Sequence, residues 1–208
     1  MDLKQIPNGF KSNPRGYILI QSITLLRIPL SVIFFVVLTA CKESTLTLVF
    51  ALCLLLLIET TDAVDGHIAR HFNLASEYGA ILDPYADSIS RLIIYSALAS
   101  KNLVLLLVPL TMALRDITVA YARILLAKKN QSVSARISGK IKAIVQAIGS
   151  FLAILGPYYW DRIGNWSFYA LSWIIITVTF LSSIEYVRDA FRAIKKNKPV
   201  SDVIDKNP

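Results

Sequence analysis

The sequence predicts an all-α polytopic membrane protein with six transmembrane helices. Three observations carry that expectation. Of 208 residues, 55% are hydrophobic and only 17% charged, and the mean hydropathy is +0.55, which sets the chain apart from an ordinary soluble domain. The apolar residues fall into six stretches of roughly 20 residues, the length that crosses a bilayer core. Basic residues gather at alternate ends of those stretches.

The first span is expected at Tyr17–Ala40. It follows a short interfacial segment, 1–16, where Pro7, Gly9 and Pro14 allow little helix. The span is too long for a signal-peptide core, and no small-residue cleavage site follows it. The others are expected at Thr45–His67, Tyr78–Ser100, Leu103–Lys128, Gly139–Trp160 and Trp166–Arg188. Pro84 is placed in the first turn of the third helix, where a missing N–H costs little. Cys53 reads as a core residue and Cys41 as lying near a span end, with no disulfide or metal pattern. Tyr158, Tyr159, Trp160 and Trp166 suit an interfacial aromatic belt. With no repeat and no long linker, residues 1–208 form one domain ending in a basic tail, 189–208.

Charge predicts the orientation. Lys4, Lys11 and Arg15 precede the first span, and Arg70 lies in the second loop. Lys128, Lys129 and Arg136 lie in the fourth loop, and Arg188, Arg192, Lys195, Lys196 and Lys198 in the tail. The intervening loops are nearly balanced, holding Lys42 with Glu43, Lys101 alone, and Asp161 with Arg162. Positive residues mark the cytoplasmic side, so both termini and the second and fourth loops are expected there. The net charge of +8 then reflects topology and attraction to anionic membrane lipid, not nucleic-acid binding.

Chemistry concentrates between residues 62 and 87. Asp62, Asp65, Asp83 and Asp87 stand where one apolar stretch ends and the next begins. Carboxylates near a bilayer are expensive and need compensating positive charge; Arg70 alone is too little for four. On a helix Asp62 and Asp65 share a face that Gly66 and Ala69 continue, and Gly79, Asp83 and Asp87 form a second stripe. The glycines let a bulky ligand approach the backbone. Hard oxygen donors favour Mg2+ or Mn2+, and two such ions can clamp a diphosphate. Taken singly, each aspartate could instead cap a helix end or pair with Arg70 or Arg91.

The pattern D-x2-D-G-x2-A-R-x8-G-x3-D-x3-D over residues 62–87 resembles the signature of the CDP-alcohol phosphatidyltransferases at every defined position. The resemblance implies a six-helix membrane enzyme that makes phospholipid from a CDP-linked substrate and releases CMP. It implies two metal ions on Asp62, Asp65 and Asp83, with Asp87 sharing in coordination or acting as the base. It implies CDP-diacylglycerol binding by Asp62, Gly66, Ala69, Arg70 and Gly79. A homodimer, residence in the inner membrane of a bacterium and an active site facing the cytoplasm follow from the same likeness and the charge pattern.

The acceptor alcohol has to be argued from elsewhere. Arg115 and Arg123 are two turns apart on the fourth span, and Lys140 and Lys142 open the fifth. Fixed cations beside a diphosphate site suit an acceptor bearing its own phosphate, although the lysines could simply meet lipid headgroups. Arg115-Asp116-Ile117, Arg123, Gly139-Lys140, Lys142 and Gln146, with Thr24 and Arg27 on the first span, are similar to the phosphatidylglycerophosphate synthase branch of that family. That likeness implies glycerol 3-phosphate. Asp116, Ala143, Gln21 and Ser88 depart from the branch's usual residues, and Arg-Asp in the fourth span also occurs in cardiolipin synthases. Phosphatidylglycerol and inositol phosphate are therefore the alternative acceptors, and a transporter or an inactive scaffold the alternatives to an enzyme. Glu59, Thr60 and Thr61 are expected to hydrogen-bond between helices, with contact to the cytidine as the alternative. Arg27 could reach the active cavity or snorkel to the surface.

Overall fold

The computed structural model describes residues 14–71, 77–127, 137–164 and 166–196. Side chains are described throughout these except at 14–17, 19–20, 62–63, 65–71, 77–78, 80, 137, 159–163, 190 and 193–196. Among the described residues the chain is all α, with six helices: α1 Pro14–Ala40, α2 Thr45–His71, α3 Glu77–Ser100, α4 Leu107–Ala127, α5 Ile137–Ile163 and α6 Trp166–Lys196. Each expected span has its helix, and α6 runs on through the basic stretch that follows its apolar part.

Polarity is arranged from the inside out. Thr24, Arg27 and Ser31 on α1, Lys142, Gln146 and Ser150 on α5, and Ser172, Thr179 and Ser182 on α6 are buried. Large apolar side chains cover the outside, among them Leu46 at 79% and Ile81 at 72% exposed. A water-soluble protein does not expose apolar surface on this scale, whereas polar residues of membrane helices face the bundle interior. Several buried hydroxyls are satisfied within their own helix: Ser31 donates to Ile28 O at 2.7 Å and Ser150 to Ala147 O at 2.7 Å. The chain is an integral membrane protein.

By length and composition, Gln21–Ala40, Ser138–Tyr158 and Trp166–Asp189 are apolar enough to cross a bilayer, and Thr45–Thr61 is a shorter apolar run. The helices left below that measure carry the charges of interest: Glu59, Asp62 and Asp65 on α2, Asp83, Asp87 and Arg91 on α3, Arg115, Asp116 and Arg123 on α4.

Helix α1 packs along α2 and α3, and α6 along α4 and α5. Helix α3 joins the two groups through α4 and α5. The apolar core runs through both, from Phe34, Leu55 and Ile58 to Tyr95, Leu98, Met112, Ile154 and Ile175. Two connections are closed by their own hydrogen bonds. Ser44 caps α2, accepting the Thr47 N–H on its hydroxyl at 3.2 Å. After α3 the Asn102 N–H reaches Ala99 O at 3.0 Å and the Leu103 N–H reaches Leu98 O at 2.9 Å. This is a Schellman cap, with Asn102 at φ 56° supplying the left-handed residue. Beyond it, the Leu105 N–H donates to Ser172 Oγ of α6 at 3.1 Å.

Three expectations need correction. Pro84 lies inside α3, not in its first turn, because the helix begins upstream at Glu77; the carbonyl of Ala80 therefore has no helical N–H donor four residues on. Cys53 is exposed. The buried stripe of α2 is Ala51, Leu54, Leu55 and Ile58, and in a leucine-rich helix no polar face distinguishes that stripe from the lipid side. Among the described residues Thr60 and Thr61 do not bond across helices: their hydroxyls return to Leu57 O at 3.0 Å and Ile58 O at 2.7 Å. Tyr158 and Trp166 are exposed as an aromatic belt requires; the side chains of Tyr159 and Trp160 lie outside the described residues.

Candidate active site

The carboxylate-bearing ends of α2 and α3 form the first half of the site. Asp83 and Asp87 stand one turn apart on α3, Asp83 exposed and Asp87 partly so. Thr24 of α1 donates its hydroxyl to Asp83 Oδ1 at 3.3 Å. Asp87 Oδ1 accepts the Arg91 Nε–H at 2.7 Å. Arg91 also donates from both terminal nitrogens to Glu59 of α2, at 3.1 and 3.2 Å. Glu59 therefore does link two helices, and the pairing expected as an alternative for the aspartates holds for Asp87.

Beneath Asp87 a small cavity is lined by Arg27, Ile58, Glu59, Asp87, Ser90, Arg91 and Ile94. Arg27 is 1% exposed and donates from Nε to Thr24 O at 3.4 Å. It thus reaches the cavity and does not snorkel away. Ser90 Oγ and Gln21 Oε1 are buried with no hydrogen-bond partner among the described residues.

The side chains of Asp62, Asp65, Gly66, Ala69 and Arg70 lie outside the described residues, but their backbone is helical in α2. The Glu59–Arg91 bridge joins α2 to α3 three residues before Asp62 in the chain and four after Asp87. Among the described residues no group of three His, Cys, Asp or Glu gathers to hold a metal. Asp83 and Asp87 supply hard oxygen donors one turn apart on α3, a donor type that suits Mg2+ or Mn2+. Gly79, one turn before Asp83, is buried.

The second half lies among α4, α5 and α6. Arg115 donates from Nη1 to Asp116 Oδ1 at 2.8 Å and from Nε to Ser182 Oγ at 3.1 Å. Lys142 donates to the same Asp116 oxygen at 3.1 Å. Arg115 and Arg123 both stand over the ring of Tyr186, at 5.8 and 5.4 Å from its centroid, a cation–π geometry. Arg123 Nε is buried with no hydrogen-bond partner among the described residues. Lys142 is buried while Lys140 is exposed, because residues two apart on a helix do not share a face. Three of the four expected cations, Arg115, Arg123 and Lys142, thus come together, and Lys140 stands on the outer side.

Tyr186 is the site residue that reading the sequence missed. Its signal is a polar stripe, Ser172, Thr179, Ser182 and Tyr186, running at helical spacing through an otherwise apolar helix; all four are buried. Gln146 belongs to the same layer, donating to Thr179 Oγ1 at 2.9 Å. Nearby, Ser138 donates to Glu185 at 2.6 Å.

The profile of the CDP-alcohol phosphatidyltransferase family matches residues 18–183. The chain is similar to the CDP-diacylglycerol–glycerol-3-phosphate 3-phosphatidyltransferase of Bacillus subtilis, at 31% identity over 151 residues covering 68% of this chain and 74% of the relative. The enzyme of the same name from Rickettsia bellii is 29% identical over 166 residues, 77% of this chain and 87% of the relative. That of Cereibacter sphaeroides is 27% identical over 188 residues, 72% of this chain and 85% of the relative. The family match spans both halves of the site, from the helix that carries Arg27 to the one that carries Ser182, and this chain belongs to the CDP-alcohol phosphatidyltransferase family of enzymes.

Proposed function

We propose that this protein transfers the phosphatidyl group of CDP-diacylglycerol to glycerol 3-phosphate, forming phosphatidylglycerophosphate and releasing CMP. The names of the similar proteins support this donor and acceptor. The observation that carries the acceptor is Arg123, whose buried Nε lacks a partner among the described residues beside Arg115 and Lys142. Asp116 offsets one of these three positive charges, which leaves a surplus suited to a phosphate monoester. Serine or choline would bring an ammonium into the same place.

Asp62, Asp65, Asp83 and Asp87 would hold two divalent ions, Mg2+ or Mn2+. When bound, such ions neutralise the diphosphate and the charge developing on the departing CMP. Arg70 adds a positive charge to that diphosphate, and Gly66, Ala69 and Gly79 leave room for the nucleotide. Arg115, Arg123 and Lys142 bind the acceptor's phosphate and turn its hydroxyl toward the phosphorus that bears diacylglycerol; Lys140 draws the anionic acceptor in from the outer side. A bond forms from that hydroxyl oxygen to the phosphorus, and the bond from the phosphorus to the CMP oxygen breaks with its electron pair leaving on CMP. Asp87 takes the hydroxyl proton, a role that requires hydrogen-bond reach to the acceptor.

Six membrane crossings, with both termini and the site on the cytoplasmic side, complete the reading. They are supported by six long helices and by the alternation of basic ends. We include the homodimer implied by the family likeness, to be checked by the mass of the detergent-solubilised protein.

The test is Mg2+-dependent CMP release from CDP-diacylglycerol by the purified protein, with glycerol 3-phosphate, phosphatidylglycerol, inositol phosphate and serine as acceptors. Release with glycerol 3-phosphate, abolished by a chelator, is expected. Release only with another acceptor would keep the carboxylate chemistry and overturn the assignment of the basic cluster.

A further inference from the structure

Arg91 is buried on α3, its side chain 6% exposed, and it faces carboxylates on two helices. Arginine pairs best with a carboxylate through two parallel hydrogen bonds. Directed at Asp87, such a fork would occupy both of that residue's oxygens and cancel its charge. In this structure the two terminal nitrogens are turned to Glu59 Oε1 and Oε2 on α2, at 3.1 and 3.2 Å. Nε alone is given to Asp87, on Oδ1 at 2.7 Å. Asp87 is thereby held in one orientation through one oxygen, and the trio of Glu59, Arg91 and Asp87 keeps a net negative charge.

We propose that Arg91 is a positioning residue for Asp87, and that Glu59 limits how much of Arg91's charge Asp87 receives. The assignment rests on the role proposed above for Asp87 at the metal site. Neither Glu59 nor Arg91 belongs to the aspartate signature of residues 62–87.

A buried ion pair that served only the fold would respond alike to loss of either partner, since each loss strands a charge. The clamp responds asymmetrically. In Glu59→Gln the guanidinium fork is released toward Asp87 and competes with a divalent cation. In Arg91→Gln that competitor is gone, so cation binding is retained or tightened, but the carboxylate loses its fixed orientation and turnover falls.

Mn2+ binding to the purified full-length protein, followed by electron paramagnetic resonance without substrate, is measured beside kcat and KM for CMP release. Glu59→Gln is expected to weaken Mn2+ binding about tenfold or more, the usual effect of residues that orient metal ligands. Arg91→Gln is expected to bind Mn2+ at least as tightly as the wild type while kcat falls about tenfold or more. The double variant removes the Glu59–Arg91 pair together, leaving only the partly exposed Asp87 without its cation, and decides the matter if a single variant fails to fold: retained Mn2+ binding with lowered kcat supports the clamp. Equal weakening in the two single variants, unchanged Mn2+ binding in Glu59→Gln, or joint loss of binding and turnover in the double variant would overturn it. Asp87→Asn is run alongside, and unchanged Mn2+ binding and turnover there would sink the role of Asp87 itself, and the clamp with it.

Discussion

The Tyr95 hydroxyl on α3 donates to the backbone carbonyl of Gln146 on α5 at 2.7 Å. The bond ties the helix of the carboxylates to the helix of Lys142, so the two halves of the site share a frame. Gly149 makes room for it: a Cβ there would stand 2.9 Å from the Tyr95 hydroxyl and 2.8 Å from Ile175 Cδ1.

Gly149→Ala should therefore destabilise the protein by about 1–3 kcal/mol, the cost of overfilling a packed core. Tyr95→Phe removes one hydrogen bond at nearly constant shape and should cost about 1 kcal/mol. Thermal unfolding in detergent micelles ranks the two, and an alanine milder than the phenylalanine would contradict this packing.

Arg123→Gln removes a guanidinium whose buried Nε–H has no hydrogen-bond partner among the described residues, although its face rests on Tyr186. Hydrogen bonds to charged groups contribute about 1.5–3 kcal/mol, so KM for glycerol 3-phosphate should rise roughly 10- to 100-fold. KM for CDP-diacylglycerol should stay near its starting value. A rise in the lipid's KM instead would move Arg123 to the other substrate.

Lys142→Gln and Lys140→Gln should separate, although the residues are two apart. Loss of buried Lys142 removes one of the two cations that hold Asp116, a change costing about 3 kcal/mol in buried pairs. Lys140 is exposed, and its replacement should shift stability by no more than about 0.5 kcal/mol. Melting temperature and acceptor KM, measured on both variants, give the comparison; equal effects would contradict the helix register.

Asp87→Asn should lower kcat by about 10²–10⁴, the range for a general base, while CDP-diacylglycerol binding persists. Lost lipid binding in the same variant would make Asp87 chiefly a metal ligand. Nucleotide-lipid binding by titration, beside CMP release, distinguishes the two.

The helices were legible because an apolar run of membrane length has few alternatives, and Ala40, Thr45 and Ser100 end or begin helices where expected. The four aspartates stand out in the sequence by their spacing, and the structure describes the side chains of two of them, Asp83 and Asp87. What stayed hidden depends on which way a helix is turned. Cys53 sits in a leucine run whose inner and outer faces have the same chemistry, and Lys140 and Lys142 look equivalent until one is buried. Tyr186 lies far along the chain from the arginines it supports, so only packing brings it to them. Arg27 left two outcomes open, decided by the cavity that Glu59 and Arg91 build around it. Pro84 lies seven residues into α3, whose start at Glu77 is one residue from the expected Tyr78; the first-turn reading overlooks that distance, not the start of the helix.

The caps at Ser44 and Asn102 have a consequence for how the molecule is built. In the six-crossing arrangement both turns lie at the end of the bundle away from the aspartates, and each is stitched by its own backbone and side-chain bonds. That end of the bundle is thus sewn shut by local bonds, which keep α1 and α2, and α3 and α4, from splaying where they meet; in the proposed reaction this leaves the helix pairs joined while bulky lipids enter and leave.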